Sequence, residues 1–187
     1  MDSFLISLST VGIAEIGDRT QLLSLMLAAR FRKPWPIIAG ILCATLANHA
    51  GAGLVGAWLG HLLTPFWLDL AVGLGMIAMA LWTLKPDHLD GDDVVRNGNA
   101  FLTTVAAFFV AEIGDKTQIA TLALAAAYPS LVMVIAGSTA GLLIANAPAV
   151  FLGKAFADRL PIASINKAAA ILFGLIGLVF LAKALFP

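Results

Sequence analysis

The residues able to do chemistry fall in two short stretches. Glu15, Asp18, Arg19, Thr20 and Gln21 form the first, and Glu112, Asp115, Lys116, Thr117 and Gln118 repeat it at the same spacing. Carboxylate, amide and hydroxyl oxygens suit hard or borderline divalent ions such as calcium, magnesium or manganese. They match poorly with copper or zinc sites built on sulfur and several imidazoles. Four acids set against Arg19 and Lys116 leave a formal charge of minus two, which one divalent cation or two protons would neutralise. An ion and protons can then compete for the same oxygens, which is what an exchanger requires.

The repeat extends beyond the charged residues. Ala14 to Gln21 recurs as Ala111 to Gln118 with seven of eight positions identical. The offset, 112 minus 15 or 97, also superposes Ile38-Ala39-Gly40 on Ile135-Ala136-Gly137, Gly56 on Gly153 and Leu63 on Leu160.

The elements that must carry these groups are membrane helices. The chain has 187 residues, 60% of them apolar and 12% charged, a balance foreign to soluble domains. Uncharged runs cover Pro34–Leu68, Leu70–Leu84, Asn97–Ala111, Thr117–Gly153 and Ala168–Ala182. They provide for several spans at about 20 residues each. Eleven basic against eleven acidic residues give no field for nucleic acid. The single Cys43 permits neither a disulfide nor a thiolate cluster, and the pattern calls for no cofactor. With Glu15, Asp18 and Arg19 in its middle, the first apolar segment reads as a mature span rather than a cleaved signal.

Turn chemistry between the apolar runs predicts six helices, near 3–29, 36–60, 66–84, 100–127, 131–154 and 163–184. The expected fold is an all-α integral membrane protein of two homologous three-helix repeats, 1–84 and 99–187, joined by a linker over 85–98. Three spans per repeat reverse the second half in the bilayer, giving an inverted pair. Basic residues agree: one side holds only Lys183, the other Arg30, Arg32, Lys33, Lys85, Arg96, Lys154, Arg159 and Lys167. The positive-inside rule makes that second side cytoplasmic and puts both termini outside, in what is expected to be a bacterial inner membrane.

Both octapeptides then sit near the bilayer midplane, where an ionised side chain costs at least about 2.5 to 3.5 kcal/mol. On a continuous helix Glu15 and Asp18 share a face, Gln21 extends it, and Arg19 lies four residues after Glu15, in ion-pairing register. Gly17 and Gly114 either admit a neighbouring helix or let the backbone unwind. Pairing of acids and bases merely to pin the bundle is the bland alternative, and Arg19 and Lys116 read equally as tuning counter-ions or as structural partners.

The doubled E-x-G-D-[KR]-[ST] pattern, complete at Glu15–Thr20 and at Glu112–Thr117, resembles the signature of the calcium/manganese:proton exchanger family. That family includes the vertebrate Golgi manganese transporter, its yeast counterpart and bacterial relatives similar to manganese exporters. The resemblance covers the whole chain. It implies manganese or calcium transport coupled to protons, with Glu15, Asp18, Glu112 and Asp115 as metal ligands and Thr20 and Thr117 as supporting oxygens.

Other polar residues share the same depth. Asn48 and His49, and Asn146 two residues before Pro148, are pathway candidates, His49 adding a borderline nitrogen; interhelical hydrogen bonding explains them as well. Ser138 and Thr139 are further pathway hydroxyls. The acidic loop Asp87 to Asp93 lacks the EF-hand glutamate, since Gly98 stands where it is required. Two other classes compete. Paired Gly-Asp dipeptides resemble an intramembrane aspartyl protease, which would tolerate loss of Glu15 or Glu112. An amino-acid exporter would need a helix end for the substrate carboxylate.

Overall fold

The computed structural model describes residues 2–84, 98–152 and 162–186. The acidic loop Asp87 to Asp93 and the segment 153–161 lie outside the described residues. Eight helices make up the rest: α1 (Asp2–Glu15), α2 (Arg19–Phe31), α3 (Pro34–Leu62), α4 (Pro65–Thr83), α5 (Ala100–Glu112), α6 (Lys116–Ala127), α7 (Leu131–Leu152) and α8 (Ile162–Leu185). Proline opens α3 and α4, where its missing N–H costs nothing. Asn99 caps α5 by accepting from the Phe101 amide at 2.9 Å.

Four of these helices, α3, α4, α7 and α8, are long and apolar enough to cross a membrane. The surface is apolar and the ionisable groups are inside: Leu54, Val132, Leu175 and Val179 are exposed, whereas Glu15, Asp18, Gln21, His49, Glu112, Asp115 and Lys116 are buried between two apolar clusters. An apolar exterior with its few ionisable side chains turned into the bundle is what a lipid solvent demands. The chain is an all-helical integral membrane protein.

Two of the six expected helices are not continuous. The stretch foreseen at 3–29 divides into α1 and α2, and the stretch at 100–127 into α5 and α6. Both breaks fall at the glycine of the octapeptide. Gly17 has φ 83° and Gly114 φ 75°, left-handed values that a helix cannot contain and that glycine reaches without steric cost.

Packing crosses between the halves. Helix α1 lies against α7, α5 against α3, and α4 against α8. The offset of 97 carries the first of these pairs onto the second. A Cβ on Gly137 would strike the carbonyl of Phe4, and one on Gly40 would meet the carbonyl of Phe101; 40 plus 97 is 137 and 4 plus 97 is 101. Small residues at both crossings let the backbones approach closely enough to seat the broken helices inside the bundle.

Candidate functional site

Each break places one carboxylate at the end of a helix and another at the start of the next. Glu15 closes α1 and Asp18 is the N-cap of α2; Glu112 closes α5 and Asp115 is the N-cap of α6. The two aspartates therefore sit at helix N-termini, where negative charge is favoured, and Asp115 accepts from the Thr117 amide at 3.2 Å. Gln21 holds the first break by accepting from the Gly17 amide at 3.0 Å, and Gln118 holds the second by accepting from the Gly114 amide at 2.7 Å. Thr20 donates to Glu15. Thr117 reaches Glu112 at 3.3 Å and Asp115 at 3.2 Å.

The continuous-helix picture of the acids is corrected by this geometry. Glu15 and Arg19 do not form the expected pair within one helix. Arg19 reaches across to the other half, donating to the Ala111 carbonyl at 2.8 Å and to Asp115 at 3.3 Å. Lys116 reciprocates by donating to Asp18. Each octapeptide thus supplies the base that neutralises the aspartate of the other, because unwinding at glycine rotates the residue after Asp away from the preceding Glu.

Of the four predicted acids, Glu15, Glu112 and Asp115 offer carboxylate oxygens that all lie within 4.8 Å of one another, and all three residues are buried. Asp18 stands outside that trio, engaged by Lys116. Like charges about 4 Å apart repel by roughly 4 kcal/mol per pair at an effective dielectric of about 20. Such a cluster calls for a cation or for protons.

Helices α3 and α7 close the site. Asn146 donates to Glu15 at 3.3 Å and accepts from Ser24 at 2.8 Å, while Gln21 donates to the Ala145 carbonyl at 2.8 Å. Asn48 accepts from Gln118 at 3.4 Å and donates to the Phe109 carbonyl at 3.1 Å. His49 is fully buried, and among the described residues neither ring nitrogen has a hydrogen-bond partner; Glu15 Oε2 and Glu112 Oε1 are in the same condition. Among the described residues Ser138 bonds only within its own helix, to Ile135, and Thr139 has no side-chain partner. Neither hydroxyl is tied to the carboxylates. Ser24 was missed from sequence. Its signal is faint but present, since Thr121 lies 97 residues later and is also a buried hydroxyl.

The surroundings are not symmetric. A cavity of about 760 Å³ runs between α2 and α5, from Gly98 and Asn99 to Ala111 and Arg19. The Arg19 side chain is 35% exposed at its foot, whereas that of Lys116 is 3% exposed. On the equivalent face, between α6 and α1, Ala120 and Ala14 are packed into an apolar cluster with Phe173.

Residues 3–91 and 100–186 match the family described as divalent cation/proton antiporter GDT1. The chain belongs to the GDT1 family. Its octapeptides fall one in each matched segment, and the family is one of transporters. A Vibrio cholerae protein described as "Putative manganese exporter" is 50% identical over 95% of this chain and 90% of its own length. A GDT1-like protein of Synechocystis is 28% identical over 96% of each. The divalent cation/proton antiporter GDT1 of Saccharomyces cerevisiae is 25% identical over 98% of this chain and 85% of its own. No solved structure matches.

Proposed function

We propose that this GDT1 member exports a divalent cation, manganese in first place and calcium in second, in exchange for protons. Its ligands are Glu15, Glu112, Asp115 and Asp18, with Thr20, Gln21, Thr117 and Gln118 bracing them and Arg19 and Lys116 as counter-ions. The observation that carries this reading is the buried trio of Glu15, Glu112 and Asp115, drawn from two broken helices with mutually accessible oxygens. Oxygen ligands suit either ion, and the name of the Vibrio cholerae relative favours manganese.

Six spans, counting α1 with α2 and α5 with α6 as one crossing each, form two inverted repeats, 1–84 and 99–187. The matched packing of α1 on α7 and α5 on α3 supports this. Both termini lie outside the cytoplasm, in a bacterial inner membrane, with the 85–98 linker inside. The cavity ending at Arg19 is then a cytoplasmic vestibule, and the packed α1–α6 face is its closed counterpart. Exchange of the two faces gives alternating access to one site. A protease dyad is disfavoured because Asp18 and Asp115 each meet a base from the other half instead of sharing a proton.

Purified protein in liposomes under a pH gradient, offered manganese, calcium, magnesium and zinc separately, should move protons against manganese and calcium. Absence of any metal-dependent proton movement rejects the exchanger, and movement with zinc alone rejects the oxygen cage.

A further inference from the structure

Asp18 and Asp115 hold the same place in the two repeats, each as the N-cap of the helix that follows, and their backbones agree: φ −76°, ψ 166° at Asp18 and φ −73°, ψ 161° at Asp115. Their side chains do not. Asp115 caps its own helix, Oδ2 accepting from the Thr117 amide and from the Thr117 hydroxyl, both at 3.2 Å, and it stands with Glu15 and Glu112 in the carboxylate trio. Asp18 makes no side-chain cap bond on its own helix and is drawn to Lys116 instead. With the backbone in common, the two arrangements differ by rotation about side-chain bonds, a step between staggered wells that leaves the turn as it is.

The two bases differ in step with the aspartates. The side chains of Lys116 and Asp18 are sealed, at 3% and 0% exposed. Among the described residues Arg19 reaches Asp115 through Nη2 alone, its side chain is 35% exposed, and it lines the open cavity. A single-pronged pair open to water holds less firmly than a forked or buried one. The aspartate beside the open face is thus loosely held and stands among the ligands, whereas the other is gripped and stands apart. Because both repeats carry the same residues, the arrangement of one is open to the other, and alternating access around a fixed site exchanges them.

We propose that the two aspartates take turns as ligands. Glu15 and Glu112 hold the ion in both states; Asp115 joins them while the cavity beside Arg19 is open, and Asp18 takes its place when the opposite face opens. Lys116 and Arg19 are positioning residues, each drawing the idle aspartate of the other half aside. The inference rests on the exchanger reading and deepens it: three carboxylates bind at a time, and one of them is handed over as the site changes face.

The test uses full-length protein in everted and in right-side-out membrane vesicles, with Cys43→Ala and with Gly91→Cys in the linker. Labelling by an impermeant thiol reagent then reports whether the linker face points outward. Gly98 and Asn99, which follow the linker, line the cavity, so the linker face is the cavity face. Two charge-matched pairs, Asp115→Asn with Arg19→Met and Asp18→Asn with Lys116→Met, strand no buried charge. The first pair should raise the KM for manganese about tenfold from the linker face, the equivalent of roughly 1.4 kcal/mol, with little change from the other face. The second pair should do the reverse. Asp115→Glu and Asp18→Glu, which keep the charge and displace the oxygens, give the same reading should either pair melt early. Equal rises from both faces, no rise, the sides reversed, or a stably folded pair variant that moves manganese from neither face overturns the alternation and leaves exchange by the wild type intact. A wild type that exchanges no manganese for protons overturns the exchanger and this inference together.

Discussion

Lys116, from the second octapeptide, donates to Asp18 of the first, 98 positions earlier in the chain, and both side chains are shut away from solvent. Removing one member of a buried pair strands the other, at about 3 to 5 kcal/mol. Lys116→Met should therefore lower the melting temperature in detergent markedly, and Asp18→Asn combined with Lys116→Met should recover much of the loss. Recovery of stability without recovery of metal flux is the expected pattern. Equal stability of the single and double variants would show that the pair does not couple.

Glu15→Gln and Glu112→Gln each remove a charge from the carboxylate trio while keeping its shape. Metal-driven proton flux should fall to background in both, because the two halves contribute to one site. Thr20→Val and Thr117→Val remove only the hydroxyls that orient those carboxylates, and metal affinity should drop roughly 10- to 100-fold. Normal flux in either Gln variant would exclude that glutamate as a ligand.

Gly114 sits at φ 75° with open space where a Cβ would be. Alanine there meets no neighbour, so its cost is backbone strain alone, about 1 to 2 kcal/mol. Asparagine, which tolerates the left-handed region better, should cost less. Thermal melts ranking wild type above Gly114→Asn above Gly114→Ala would bear this out, and an Ala variant as stable as wild type would refute it.

Gly137 tests close packing instead. A Cβ would drive into the Phe4 carbonyl, whereas one on Gly51 meets nothing within 4 Å. Gly137→Ala should destabilise by about 1 to 3 kcal/mol and impair transport by displacing α1. Gly51→Ala should be neutral or mildly stabilising in the same melt.

The asymmetry of the two faces can be read by cysteine labelling after replacing Cys43 with alanine. Ala107 lines the cavity beside Arg19, and Thr10, 97 residues earlier, is buried. A membrane-impermeant thiol reagent on the linker side should label Ala107→Cys and spare Thr10→Cys. From the opposite side Thr10→Cys should become reactive only during exchange. Labelling of both from one side would rule out alternating exposure of the two faces.

Much of this protein was legible in the order of its residues. Long apolar runs broken by proline and charge specify helices in lipid, since no other open structure satisfies the backbone there. The acids and their doubling were visible because identity at a fixed offset needs no three-dimensional knowledge. The breaks at Gly17 and Gly114 were less clear, because a glycine within an apolar run is as compatible with close helix packing as with a left-handed turn. What folding added is the partnership between the halves. Whether Arg19 serves Glu15 or Asp115 depends on the rotation that the turn imparts and on what α5 brings opposite it, neither of which is encoded within a few residues of Arg19. The same holds for Asn146 reaching Glu15 and for His49 being left without a hydrogen-bond partner among the described residues. Both follow from how α3 and α7 pack across the two breaks, a long-range consequence of fitting backbones together at Gly40 and Gly137.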